Sequence, residues 1–147
     1  MQGSNLHSVV VQNEHAFLLR LMVELAGNAI MSLEGNVFDL RFPQGFLLGT
    51  QETPLLKRVG RPSKQSMFLT LRLEAKFVSS IIAQIEDPKV FNGIWQVQIE
   101  RNSIFELSAH DRFLYTTTGP GIGVALLQRL KDAKIISGFA PARDSQI

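Results

Sequence analysis

The sequence contains no cysteine. This absence excludes disulfide bonds, thiolate catalysis and cysteine-ligated zinc, and it agrees with a reducing compartment. We therefore expect a cytoplasmic protein that folds on its hydrophobic core alone. The chain has 147 residues. A single domain of this size buries about 68–70% of the surface of its unfolded chain, so no covalent staple is needed.

Long hydrophobic runs are also missing. The most apolar segment, residues 17–25, is interrupted by Arg20 and Glu24 and is too short to cross a bilayer. The first residues carry no basic cluster followed by an apolar stretch, so we expect neither a signal peptide nor a membrane partner. We assign residues 1–5 to a flexible or expression-derived N-terminus and residues 141–147 to a flexible tail.

The excess of charge is small. Lysine and arginine number 15 against 13 aspartates and glutamates, which leaves a net charge of +2. A general attraction to nucleic acid is therefore not expected, although a local basic patch would still bind phosphates. The hydrophobic share of 45% is typical of a globular protein rather than a disordered one.

Three segments have the apolar spacing of amphipathic helices. The first begins after Asn13, a good N-cap, and ends near Gly27. The second carries an apolar stripe between residues 77 and 85 and ends before Pro88, because the residue before a proline is pushed out of the helical region. The third covers residues 122–133. The predicted core stripe of the second helix consists of Phe77, Val78, Ile81, Ile82 and Ile85.

Alternating apolar and polar residues predict five to seven strands. The segments are 37–42, 67–73, 94–100, 103–109 and 112–117, with an edge strand at 134–139. The clearest hairpin turns at Arg101-Asn102. Residues 29–33 fit either a strand paired with 37–42 or a continuation of the first helix. We favour the strand, because glycine inside a helix costs about 1 kcal/mol.

The connections between most of these strands are too short for parallel crossovers. The sequence therefore predicts an α+β fold, with a mainly antiparallel sheet of five to seven strands and about three helices packed on one face. No repeat, low-complexity tract or linker divides the chain. We expect one domain over residues 1–147.

A basic loop is the first candidate site. Its four cations, with no acid among them, are Lys57, Arg58, Arg61 and Lys64. The Gly60-Arg61-Pro62 core resembles the arms that place an extended arginine in the minor groove of DNA, although Val59 stands where an AT-hook would carry another arginine. A solvated surface loop has the same composition, and we favour that interpretation because short motifs match often by chance.

A glycine-rich turn before the third helix is the second candidate site. Its N–H groups could cradle a phosphate or carboxylate. The candidate ligand-binding residues are Thr118, Gly119, Gly121 and Gly123. A P-loop would need a lysine followed by serine or threonine, and Val124-Ala125 provide neither. An ordinary turn before a helix is the favoured interpretation.

His110 is the third candidate, as a general base with Glu106 and Tyr115 near it in sequence. His110 and Asp111 would need a turn between them to cooperate, because adjacent strand residues point to opposite faces. The other histidines lie far away near the N-terminus, so their spacing predicts no metal site. No nucleophile motif is present either. We favour a turn between two strands at His110-Asp111.

Several predicted strands are apolar on both faces. Phe68, Ile104 and Leu114 lie opposite other large apolar side chains of their own strands. Such strands bury both faces, against helices, a ligand cavity or a second subunit. We therefore expect a homo-oligomer, most simply a homodimer, or a closed apolar pocket.

These patterns favour a non-enzymatic binding or regulatory module that forms a homo-oligomer, with no cofactor and with a ligand that the sequence does not specify. The first alternative is a small enzyme acting on an anionic substrate, for example a phosphate-bearing one, at the Gly119–Gly123 turn. That alternative requires His110, Glu106 or Tyr115 to line a pocket beside the turn. The second alternative is weak nucleic-acid binding through the Lys57–Lys64 loop, which we do not favour.

Overall fold

The structure, a computed structural model, describes residues 6–42, 45–61 and 63–142. The strands are β1 (His7–Val11), β2 (Ala29–Gly35), β3 (Leu47–Gly49), β4 (Met67–Leu73), β5 (Ile94–Arg101), β6 (Ile104–His110), β7 (Tyr115–Thr118) and β8 (Ile136–Pro141). The helices are α1 (Glu14–Leu25), α2 (Ala75–Ile85), α3 (Pro88–Asn92) and α4 (Val124–Asp132).

All eight strands belong to one antiparallel sheet with the order β3-β4-β2-β5-β6-β7-β1-β8. The predicted α+β class with an antiparallel sheet is confirmed. The described residues contain eight strands rather than five to seven, and four helices rather than three. The additional helix, α3, has only five residues, too few to show a helical period.

The sheet has one apolar face and one polar face, because side chains alternate along each strand. On β2, Met31 and Leu33 point to the apolar face, while Ser32 and Glu34 point to the other. The partners in register on β4 and β5 continue the apolar face with Leu69, Leu71, Val97 and Ile99. The buried residues of α1, α2 and α4 belong to the same core cluster as these strand residues, so these three helices cover the apolar face.

Helix α1 shows how local sequence sets an element's limits. The Asn13 side chain accepts a hydrogen bond from the Ala16 N–H at 3.1 Å, which confirms the predicted N-cap. After the helix, Gly27 and Asn28 adopt positive φ angles of 114° and 51° and turn the chain. The interval at 29–33 is therefore a strand, as favoured, and it continues to Gly35.

The predicted strand at 37–42 and its hairpin with 29–33 are wrong. Strand β2 pairs along its whole length with β4 on one side and β5 on the other, so no edge remains for residues 37–42. Val37 and Leu40 are nevertheless buried in the core, whereas Phe38 is exposed. The alternation of apolar and polar residues at 37–42 therefore belongs to an irregular segment, which inserts the side chains of Val37 and Leu40 into the core.

Two turns differ from their predicted positions. The β5–β6 turn lies at Asn102-Ser103, one residue later than expected, and both residues have positive φ, as in the hairpin turns that match strand twist. Strand β7 begins at Tyr115 rather than at residue 112, because positive φ angles at Asp111, Arg112 and Phe113 form a turn.

The two ends of the described chain lie side by side, because β1 pairs with β8. Strand β8 includes Pro141, and the buried Ala142 donates a hydrogen bond to the Leu6 carbonyl at 2.8 Å. Two residues of the predicted tail thus belong to the sheet edge, while 143–147 and 1–5 lie outside the described residues. Within the described ranges, no helix is long and apolar enough to cross a membrane.

The core stripe of α2 gives a stability prediction. Ile81 is 1% exposed, whereas Ile82 packs only partly against the core. Replacing Ile81 by alanine is expected to cost about 2–5 kcal/mol, because a buried branched side chain leaves a cavity. Ile82→Ala is expected to cost less and serves as the matched control. Urea denaturation measures both, and an Ile81→Ala midpoint equal to that of the wild type would contradict this packing.

Candidate functional site

The polar face of the sheet is divided into a covered half and an open half. The segment 50–61, here called the cover loop, lies over the polar-face residues of β2, β4 and β5. Its Leu56 is fully buried, and Phe68 on the polar face of β4 is 1% exposed, although neither belongs to the main core cluster. The cover loop therefore buries a second, smaller apolar layer on the face opposite the helices.

A buried carboxylate on β2 holds the end of the cover loop. Glu34 accepts hydrogen bonds from the Val59 N–H at 2.7 Å and from the Gly60 N–H at 2.8 Å. A buried carboxylate needs such donors, since an unpaired buried charge is costly. Glu34 therefore fixes the loop to the sheet.

Two residues of β5 hold the middle of the cover loop. The Gln98 amide accepts from the Lys57 N–H at 3.1 Å and donates to the Lys57 carbonyl at 2.7 Å. Glu100 accepts from the Thr53 hydroxyl at 3.0 Å. Along the sequence these positions resemble the solvent face of an ordinary strand, and only the loop packed above them explains their burial.

The four cations of the basic loop lie in two different environments. Lys57, Arg61 and Lys64 are exposed, and Pro62 lies outside the described residues. Arg58 is half-buried, with its guanidinium carbon 5.6 Å from the centroid of the Phe68 ring, a cation–π arrangement. A minor-groove arm is free and extended, whereas Val59 and Gly60, which precede Arg61, are hydrogen-bonded to Glu34 of β2.

The glycine-rich turn is occupied by a carboxylate of the protein itself. Glu106 accepts from the Gly121 N–H at 2.7 Å, and its backbone carbonyl accepts from the Gly119 N–H at 2.9 Å. Burial raises the pKa of Glu106, and the Gly121 hydrogen bond and the charge of Arg101 oppose that rise. The Glu106 side chain thus takes the position that an anionic ligand would need at Gly121.

Glycine at this turn has a steric reason. A Cβ on Gly121 would collide with Glu106 Oε2, and one on Gly119 would collide with the Phe105 carbonyl. Thr118 is buried, and its hydroxyl has no hydrogen-bond partner among the described residues. Gly123 precedes α4 without any side-chain cap. Of the four candidate residues, Gly119 and Gly121 thus form an internal contact with Glu106.

The open half of the polar face contains a groove with Ser108 and His110 at its centre. Both residues line two adjoining cavities. The outer cavity, of about 460 Å³, lies over β1, β6 and β7 and is also lined by Ser8, Val10, Leu114, Tyr115 and Thr117. The inner cavity, of about 370 Å³, lies beneath the cover loop and is also lined by Leu55, Lys57, Arg58, Gln98 and Phe105. We call the two cavities together the groove.

The structure brings two of the three candidate catalytic residues together. His110 and Tyr115 are partners in the β6–β7 register, and both line the outer cavity. The Glu106 carboxylate is bound at Gly121 instead. Ser108, which was not among the candidates, lies two residues before His110, and its Oγ is 2.8 Å from His110 Nε2. The i, i+2 spacing on one strand is the sequence signal that could have identified this pair.

The His110 ring carries its proton on Nε2 in the arrangement that leaves fewest buried donors unpaired. His110 Nδ1 is buried and has no partner among the described residues. An unpaired buried N–H is rarer and costlier than an unpaired acceptor. We therefore assign Nε2–H as the donor to Ser108 Oγ. The Ser108 hydroxyl then keeps its own proton to donate, and His110 does not act as its base.

The charge state of His110 follows from its burial. Burial lowers the pKa of His110, while the negative charges of Asp111 and Glu34 act in the opposite direction and are the weaker effects. The imidazole is therefore neutral at neutral pH. The groove is lined by hydroxyls, a neutral imidazole, two cations and several apolar side chains, and no acid lines either cavity among the described residues.

Comparison with known proteins returns no relative. No protein-family model, no curated protein and no solved structure matches the chain. Within the described ranges, no group of three or more histidine, aspartate or glutamate side chains could hold a metal ion.

The buried His110 predicts a pH dependence of stability. Because its pKa in the folded state lies below the usual 6.5, the unfolded chain binds the proton more readily. The free energy of unfolding is expected to fall as the pH decreases from about 7 through 6.5, down to the lowered pKa. The non-titrating variant His110→Gln should show a smaller fall over the same range.

Urea titrations of both proteins at several pH values between 7.5 and 5 measure this difference. The raised pKa of Glu106 acts with the opposite sign at lower pH and is common to both proteins, so it cancels in the comparison. Parallel curves for the two proteins would show that His110 titrates as in the unfolded chain.

Proposed function

We propose that the protein is a non-enzymatic binding module and that its ligand lies in the groove on the open half of the polar face. The observation that carries this proposal is the division of that face. Glu34, Gln98 and Glu100 hold a loop over one half. The other half stays open around Ser108 and His110.

Exposed apolar side chains beside the groove support a ligand there. Val10, Leu114 and Tyr115 are 62%, 69% and 63% exposed and line the outer cavity together. A cluster of large apolar groups left in water beside a few convergent polar groups is typical of ligand sites. The solvent-facing half of a merely structural sheet would need no such cluster.

The arrangement of carboxylates favours binding over catalysis. A serine–histidine pair acts as nucleophile and base when a third group holds the histidine through Nδ1. No described residue forms a hydrogen bond with His110 Nδ1. Two carboxylates of the polar face are engaged elsewhere, Glu34 by the cover loop and Glu106 by Gly121, and Asp111 forms no hydrogen bond with Nδ1.

We also infer that two copies associate through β8. One edge of the sheet, β3, has only three residues and an irregular register, a common protection against edge pairing. The other edge, β8, is twice as long, with six residues without a charge, and among the described residues it pairs only with β1, with a register shift near Ser137 and a proline at its end. Its outer backbone groups are therefore suited to an antiparallel strand from a second copy. Phe68, one source of the expectation of a dimer, is instead buried beneath Arg58.

The ligand site can be tested by filling the groove. Val10→Trp places a large ring in the outer cavity, and Val23→Trp makes the same change on the exposed side of α1. The ¹⁵N-labelled protein is titrated with hexanoate, 1-hexanol and hexylammonium. We expect at least one probe to shift amide signals of β1, β6 and β7, and Val10→Trp to weaken that binding about tenfold, or about 1.4 kcal/mol. Val23→Trp should have no effect.

If no probe shifts the groove signals, or if both tryptophan variants behave alike, the groove is not the binding site.

The association through β8 can be tested by its mass. Light scattering at micromolar concentration is expected to give about twice the monomer mass of 16.4 kDa. Ala140→Lys places like charges on the paired edges and should yield the monomer. Ala125→Lys, at an exposed position on α4, is the matched control and should remain dimeric. A monomeric wild type would contradict the inference.

A further inference from the structure

Two residues that line one cavity each carry a buried side-chain nitrogen without a partner among the described residues. Among the described residues, four buried side-chain atoms lack a hydrogen-bond partner, and these include Arg58 Nη1 and His110 Nδ1. Arg58 and His110 both line the inner cavity beneath the cover loop. Buried polar groups are almost always paired. Arg58 Nη1 is always a donor and therefore needs an acceptor, whereas His110 Nδ1 becomes a donor only when the imidazole takes up a proton.

Arg58 is held in this position through both its side chain and its backbone. Its guanidinium lies over the Phe68 ring, and its backbone N–H donates to Glu52 at 2.7 Å. The neighbouring Lys57 is held by Gln98, and Val59 by Glu34. Arg58 forms no ion pair with any described residue. A guanidinium that is partly buried and fixed, yet has no anion, is a preformed site for one.

The charge of the cavity is of one sign. Lys57 and Arg58 line it, and no aspartate or glutamate does so among the described residues. Glu34 lies close enough to influence His110, but both of its oxygens accept hydrogen bonds from the cover loop. The inner cavity therefore favours a negatively charged group, and the Ser108 hydroxyl supplies an additional donor.

We propose that the groove binds a small anionic amphiphile, with its carboxylate or phosphate in the inner cavity between Arg58 and Ser108 and its apolar part in the outer cavity. This inference rests on the proposed function and specifies its ligand class. Val10, Leu114 and Tyr115 provide the apolar surface for the second part. The two cavities meet at Ser108 and His110, so one molecule spans both.

Binding of the anion is coupled to proton uptake by His110. Asp111 and Glu34 favour the charged form of this imidazole, burial opposes it, and Lys57 and Arg58 line the same cavity. Tyr115 faces it across the β6–β7 pair. A bound anion adds a negative charge and an acceptor for Nδ1–H, so it favours the imidazolium form. Affinity therefore increases as the pH falls toward 6.

Calorimetric titration with four hexyl probes tests the ligand class. Hexanoate and hexyl phosphate are expected to bind about tenfold more tightly than 1-hexanol, as charge-assisted hydrogen bonds require, and hexylammonium more weakly still. A preference between the two anions distinguishes a carboxylate ligand from a phosphate ligand. Arg58→Gln should remove the advantage of the anions, and Arg58→Lys should keep part of it. Arg129→Gln, at an exposed position of α4, should change nothing.

The proton uptake is measured independently of the variants, by repeating the hexanoate titration at pH 6 in two buffers with different ionisation enthalpies. Equal affinity of the groove for hexanoate and 1-hexanol would overturn the anion site while leaving a binding module. The absence of groove binding by all four probes would instead overturn the proposed function, and with it this inference.

Discussion

The alternation of side chains across the eight-stranded sheet is the constraint on which the rest of the structure depends. Helices α1, α2 and α4 cover the apolar face. The opposite face then presents Ser32, Glu34, Gln98 and Glu100 in the interior of a wide sheet. Where this second face is covered, these groups need hydrogen-bond partners, because burying them unpaired would cost more free energy than the packing of the face contributes.

The backbone of the cover loop provides the hydrogen-bond partners that these strand residues need. The loop has little regular structure, so its N–H and C=O groups need acceptors and donors, and the polar strand residues supply them. Because the loop forms its hydrogen bonds to the sheet with β2, β4 and β5 and only borders β6 at the inner cavity, the sheet over β1, β6 and β7 stays open. The groove is thus a consequence of where the loop ends, and Arg58 lies at that boundary.

The protein uses one chemical device twice, a buried carboxylate that accepts backbone N–H bonds from a glycine-containing loop. Glu34 holds Gly60 in this way, and Glu106 holds Gly121. Both loops resemble ligand-binding motifs in the sequence, one a DNA-binding arm and the other an anion cradle. The resemblance of the second loop has a structural reason, because the N–H geometry that suits an external anion also suits an internal carboxylate.

Local patterns in the sequence determined the α+β class, the spans of α1 and α2, the strands β4 and β5 and the N-cap at Asn13, because periodicity, capping and proline act over a few residues. The order of the strands was decided by tertiary structure alone, and with it the failure of 37–42 to form a strand, since pairing depends on which edges remain free. His110, Tyr115 and Arg58 were visible as candidates in the sequence. The sequence did not show that these three residues meet in one groove, because the cover loop brings Arg58 to β6, a strand remote in sequence. It also did not show that Glu106 is bound at Gly121 instead. Only the folded chain sets such distances.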